Sequence, residues 1–303
     1  MMLMNSMHPS IPFEDGSYRR EFDAEVDCAS QDELVVRGAF RDYRFDMFQV
    51  WRVKTPEYEV LEATAGDRSG FVDVHALANF GLIAGVRVGR GFTRWVLEKI
   101  GDRKGSHETL LFAIEMARVS QQVYQFPPDL ENSFRSHSAD LTDLARAAWL
   151  KDRAYMPDLA NSCYTYRDSS RELFDTREVR CGFDGSITRP KPGDKSVFWR
   201  KKQLSIQELD TSNWRCHIAM QDSIHDISVE FELSSAGIVS NAESRGLRLP
   251  YHGICEDAQL RTAMLNGMVI TPRFSKQLGE TVGGQSGCTH LFDLTSDCLR
   301  LFV

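Results

Sequence analysis

Two side chains capable of soft coordination or nucleophilic chemistry stand two positions apart near the C-terminus. They are Cys288 and His290, in the run Gly283-Gly284-Gln285-Ser286-Gly287-Cys288-Thr289-His290-Leu291. A glycine-rich turn followed by an apolar stretch of helical spacing places both at a helix start, where the macrodipole favours a thiolate. Two more groups of the same kind precede them. His225 stands just before the β-rich run Ile227–Leu233, and Cys255 follows the turn Pro250-Tyr251-His252-Gly253. All four lie at element ends, where side chains remote in sequence can converge. Thiolates with imidazole suit tetrahedral zinc or an iron–sulfur cluster. The candidate metal ligands are therefore His225, Cys255, Cys288 and His290, with His252 as a further one. The same groups support a second chemistry on a small molecule, hydrolytic or lyase in type. Here Cys288 would be the nucleophile, or His290 or His225 the general base, in a cleft between the two halves of the chain. On a third reading the turn is only a fold signature of a structural or interaction protein.

Other motifs are missing. The chain holds no Cys-x-x-Cys, no His-Glu-x-x-His and no Gly-x-Ser-x-Gly, and Gly85-x-x-x-Gly89-x-Gly91 lacks the Gly-Lys-Ser/Thr of a phosphate loop. In Gly105-Ser106-His107-Glu108 a nucleophile and a base are adjacent, but neighbouring helical side chains point about 100° apart. Ser106 reads as a helix cap and Glu108 as a first-turn acid.

The elements that must hold these residues come in the same order twice. Strands are expected at 18–26, 34–40, 47–53 and 60–61, then helices at 74–83, 92–100 and about 108–123, the last stopping before Pro127-Pro128. After residue 198 the order repeats, with strands at 202–208, 214–220, 227–233 and 238–239 and helices near 256–265, 274–278 and 289–301. At an offset of 182, Gly85 matches Gly267, Phe92 Phe274, Glu98 Glu280, Gly101 Gly283 and Gly105 Gly287. Glycines at fixed spacing mark turns that need positive φ or close approach. The fold class is therefore α+β, with two related halves, each a small antiparallel sheet packed with about three helices, forming an intramolecular pseudo-dimer. Its parts are a loose lead-in at 1–17, a first repeat at 18–125, a helical connector and linker at 126–197, and a second repeat at 198–303. In the connector, Leu141 to Leu150 is an amphipathic helix with Asp140 as N-cap. The first repeat carries Phe45 where the second has His225, roughly Asp73 for Cys255, Ser106 for Cys288 and Glu108 for His290. It reads as a degenerate, structural half.

Composition sets the outer limits. With 303 residues, 42% apolar and 26% charged, the chain can bury a substantial core. A net charge of −7 argues against a sequence-independent nucleic-acid partner, which needs a concentrated basic face. No stretch approaches 18 apolar residues, so no membrane span is expected. The N-terminus lacks the features of a signal peptide, and the seven scattered cysteines then imply reduced thiols in a cytoplasm.

At these residues the chain resembles a known family. The order His225-Asp226-Ile227, an amphipathic strand, a lone Cys255, Gly267 and then Gly287-Cys288-Thr289-His290-Leu291 is similar to the bacterial domain of unknown function 2889. The likeness is strong over 198–303 and weak over 18–125, and Leu159-Ala160-Asn161-Ser162-Cys163-Tyr164-Thr165-Tyr166-Arg167 looks like that family's short tail. It implies a tandem version of the domain and no activity. A fainter likeness, of element order, is to NifU-like iron–sulfur scaffold proteins. It implies that His225, Cys255, Cys288 and His290 converge on one zinc or cluster, although His225 replaces a Cys of that pattern.

Overall fold

Alternation of apolar and polar residues is the strongest local signal in the chain, and it becomes strands buried on one face. A computed structural model describes residues 7–89, 91–124, 139–183 and 190–302, with Asp129 and Asn132. The chain is α+β. Its eight principal strands are antiparallel, and it divides into two compact units.

The N-terminal unit comprises residues 20–126 and 185–202. Its strands are β1 (Ser17–Cys28), β2 (Glu33–Arg41), β3 (Asp46–Lys54) and β4 (Glu59–Asp67), in the order β4-β3-β2-β1. On β3 the buried residues Met47, Gln49, Trp51 and Val53 alternate with more exposed ones. Three helices follow, α1 (Val74–Phe80), α2 (Phe92–Ile100) and α3 (Ser106–Ser120). Phe92, Val96 and Ile100 recur every four residues on α2 and are all buried, which is the spacing of one helix face. Glu115 of α3 is fully buried and accepts from Lys202 (2.9 Å) and Arg118 (2.6 Å). Burial alone would raise its pKa, but Lys202 and Arg118 outweigh that and hold it down at about 2.

The C-terminal unit comprises residues 1–19, 127–184 and 203–303. The connector contributes α4 (Leu141–Tyr155), capped by Asp140 through the amides of Thr142 and Asp143, the short α5 (Leu173–Thr176) and β5 (Arg180–Cys181). Strands β6 (Phe198–Asp210), β7 (Asn213–Asp222), β8 (Asp226–Ser234) and β9 (Val239–Arg248) lie in the order β6-β7-β8-β9, and β10 (Tyr251–His252) pairs with β5. The helices are α6 (Cys255–Gln259), α7 (Phe274–Thr281) and α8 (Thr289–Leu299). The connector is part of this unit's core: Trp149 and Phe174 pack with Tyr251, Leu291 and Leu294. Buried Asp152 of α4 accepts from the hydroxyls of Tyr251 (2.6 Å) and Tyr166 (2.8 Å). The lead-in is bonded as well, through Met7 N–H to Ser235 O (2.7 Å) and Ser10 N–H to Leu301 O (2.6 Å). Among the described residues no helix is long and apolar enough to cross a membrane.

Strand β9 runs to Arg248, well beyond the two residues its apolar pattern marks. It ends its strand row, and only Val239 and Ala242 on it are buried, so there is little periodicity to read.

Candidate functional site

The site begins in the turn between β7 and β8. Asp222 ends β7 with its side chain wholly buried, and its Oδ1 accepts from the backbone N–H of Ile224 (2.7 Å) and of His225 (2.6 Å). Such a turn is the short-range use of an aspartate that the backbone rewards. It aims the His225 ring back at the same carboxylate, with Nδ1 3.0 Å from Oδ1 and 3.2 Å from Oδ2. With Nδ1–H donated to Asp222, Nε2 is the nitrogen left for chemistry. His225 is only 3% exposed.

The second half of the site is the start of α8. Cys288 is its N-cap, in extended conformation, and His290 lies in its first turn. The ring of His290 meets that of His225 with centroids 4.0 Å apart and planes at 48°. Turn and helix start thus bring two imidazoles into contact, one of them held by a buried carboxylate.

The approach to α8 depends on Gly287, which is extended at φ −127° and needs no left-handed freedom. Its reason is space: a Cβ there would lie 2.0 Å from the carbonyl oxygen of Val282. That carbonyl accepts from Cys288 N–H (2.7 Å), and Gly287 O accepts from Tyr164 N–H (2.8 Å). Gly85 and Gly267, by contrast, are truly left-handed at φ +85° and +83°.

The thiols form a separate group. Cys255 Sγ lies 3.1 Å from the hydroxyl of Thr165. Burial pushes its pKa up, with smaller contributions in the same direction from Cys163 and Cys288. Burial also pushes Cys288 up to about 12, Cys163 adding to the rise and the amides of Leu291 and His290 opposing it. These are protonated, desolvated thiols, the opposite of an activated nucleophile. His252 belongs to neither group; its Nδ1 faces Glu256 at 2.9 Å. Cys298 and Cys216 are buried in the core.

Of the four candidate ligands, then, His225 and His290 meet, and Cys255 lies instead against Thr165. Among the described residues no group of three or more His, Cys, Asp or Glu side chains is arranged to hold a metal ion. The imidazole contact points the same way. Two histidines sharing a tetrahedral zinc at about 2.0–2.1 Å keep their ring centres about 5 Å apart, and here they are 4.0 Å apart.

The N-terminal unit shows the same turn without the imidazoles. Asp42 Oδ1 accepts from the N–H of Arg44 (2.7 Å) and Phe45 (3.2 Å), as Asp222 does from Ile224 and His225. Phe45 follows Asp42 by three residues, as His225 follows Asp222. Arg44 of this turn pairs with Glu108 in the first turn of α3 at 3.5 Å.

Residues 205–301 match the family model described as Protein of unknown function (DUF2889). The C-terminal region therefore carries a DUF2889 domain, and both imidazoles, Asp222, Cys255 and Cys288 fall inside it. No curated protein and no solved structure matches the chain. Sequence reasoning passed over Asp222 and the place of Cys163 beside the DUF2889 thiols. The first had a signal: three residues before the Phe45/His225 match, Asp42 pairs with Asp222.

Proposed function

We propose that the DUF2889 domain acts on a small molecule by proton transfer, with His225 carrying the proton, Asp222 orienting it and His290 completing the pair. The observation that carries this reading is the 4.0 Å contact of the two rings, one of them fixed by a carboxylate with no exposure. Burying a carboxylate and an imidazole together costs desolvation that an apolar pair avoids. The N-terminal unit meets the same packing need with Phe45, so the polar arrangement is not required for folding. A carboxylate on Nδ1 that leaves Nε2 to take a proton is the arrangement of a general base.

The same orientation is also how proteins prepare a metal-bound histidine, which keeps a zinc reading as the second one. A NifU-like convergence would have thiols and imidazoles on one ion. Their separation into two groups favours proton transfer.

The reading extends to the fold: the chain is an internal duplication whose N-terminal copy has given up the site. Supporting it, Gly85 N–H to Val60 O (2.7 Å) recurs as Gly267 N–H to Val239 O (2.8 Å), and Val88 N–H to Tyr58 O (2.9 Å) as Ile270 N–H to Gly237 O (2.8 Å). Glu115 with Arg118 on α3 recurs as Asp297 on α8 with Arg300 at its C-cap, both acids buried.

The test combines His225→Phe, which copies the chain's own Phe45, and His290→Gln with NMR of the imidazole Cε1 protons. The two wild-type rings should show a mutual nuclear Overhauser contact, as their 4.0 Å centroid separation requires, and His290→Gln should shift the His225 signal. A screen of small ester and hydroxy-acid substrates should give turnover that His225→Phe abolishes with its circular dichroism unchanged. Absence of that contact, or turnover surviving His225→Phe, overturns the reading. Stoichiometric zinc or iron, in protein purified without a histidine tag and lost in both His225→Phe and Cys288→Ser, would replace it with the metal reading.

A further inference from the structure

We infer that Arg248 makes the imidazole pair a site for a small molecule bearing a carboxylate. The inference deepens the proton-transfer reading and rests on it for the role of the rings. It stands on the placement of one guanidinium. Arg248 ends β9, opposite Asp226 in the β8–β9 register. Its Nη2 donates to two backbone carbonyls of the site's own turn, those of Asp222 and His225. That anchors the cation beside the residue whose ring faces His290. Its Nε is buried and has no hydrogen-bond partner, and among the described residues Arg248 forms no ion pair.

The N-terminal unit shows what this arginine does when it is structural. Arg68 stands at the corresponding position, 180 residues earlier, and Asp46 at that of Asp226. There Arg68 Nη1 lies on the Asp46 carboxylate at 3.1–3.2 Å, an ordinary cross-strand ion pair. In the DUF2889 domain the acid is still present, yet Asp226 accepts from Gln221 Nε2 (3.2 Å) instead. Arg248 turns to the backbone of the histidine turn. The cation is held where the imidazoles are, with donors left over, and its natural counter-ion is engaged elsewhere. A guanidinium in that position recognises an oxyanion.

Charge narrows the class. Asp222 ends β7 and Asp226 begins β8, so two acids flank the turn that holds one fixed cation. Two amides and an imidazole N–H stabilise the Asp222 carboxylate without removing its charge, so a monoanion meets less repulsion here than a dianion. A phosphate dianion would meet the two acids with too little positive charge. A carboxylate held by Nη1 would stand beside the turn that carries His225.

The experiment uses the full chain and reads the imidazole signals by NMR while benzoate, acetate or inorganic phosphate is added at constant ionic strength. Benzoate and acetate should shift the His225 and His290 signals saturably. R248Q should weaken that binding at least about tenfold, R248K should fall between, and R68Q should leave it unchanged. Equal affinity in a folded R248Q, or no saturable shift in wild type, overturns the proposal. Phosphate binding more tightly than either acid overturns the carboxylate assignment. The two readings fail separately. If turnover depends on His225 but no acid binds, proton transfer stands and this proposal falls. If acid binds through Arg248 while turnover survives His225→Phe, the anion site stands alone.

Discussion

Removing the Asp222 carboxylate should cost the DUF2889 domain several kcal/mol, and the cost can be worked from its partners. Asp222→Ala takes the acceptor from at least three buried donors: the amides of Ile224 and His225, and Nδ1–H of the His225 ring. At about 1–3 kcal/mol for each unsatisfied buried donor, these three together are worth up to about 9 kcal/mol. Water entering the emptied space recovers part, so a loss of about 3–5 kcal/mol is expected. Asp222→Asn keeps an oxygen for the two amides and loses the charge at the ring, which should cost about 1–2 kcal/mol. Asp42→Ala is the internal comparison. It orphans two amides and releases Arg44, whose guanidinium can reach solvent, so about 2 kcal/mol is expected. Urea unfolding followed by circular dichroism at fixed pH gives all three values, provided the slopes agree with wild type. A loss under about 1 kcal/mol for Asp222→Ala, or equal losses for the Ala and Asn variants, would show that the carboxylate does not organise the turn.

Two further outcomes are expected. With the Cys288 thiol pushed up to about 12, its thiolate fraction at pH 8 is on the order of 10⁻⁴, so alkylation by iodoacetamide should run roughly a thousandfold slower than for a free thiol. Labelling of Cys288 in the folded protein at the free-thiol rate would restore it as a nucleophile. Glu115 has its folded pKa lowered to about 2, so its contribution is fully present above the ordinary glutamate range and is lost as pH falls toward 2. Wild type should therefore lose stability between about pH 4.5 and 2, whereas Glu115→Gln should be flatter there and weaker at pH 7 because Lys202 stays buried. Parallel acid profiles for the two proteins would refute this.

Most of the element order was legible because it rests on periodicity. The strands at 47–53 and 227–233 and the helix at 92–100 put apolar residues on one face, and that burial is what the structure shows. The convergence of His225 with His290 was legible only as a matter of element ends. A turn and a helix start 65 residues apart meet through packing that no local pattern encodes. Asp222 looked like any turn aspartate. Arg248 looked like an edge-strand charge, since nothing in a sequence says that an arginine opposite an aspartate will decline to pair with it. The setting of Cys255 depends on Thr165, 90 positions away in the stretch that resembles the family's short tail, and no local pattern says that this stretch packs on Cys255.

The limits of the family match and the limits of packing do not coincide, and this matters to anyone excising the domain. A fragment cut at 205 and 301 leaves behind Trp149, whose indole N–H donates to Thr165 O (2.9 Å), and Asp152, which receives the Tyr251 hydroxyl. It also leaves the Tyr164 amide that bonds Gly287 just ahead of the second imidazole. Such a piece would present a raw aromatic wound around Tyr251 and Cys255, inviting clumping before any ligand could be tried. Scissors should follow the contacts and take in the stretch from Asp140 onward.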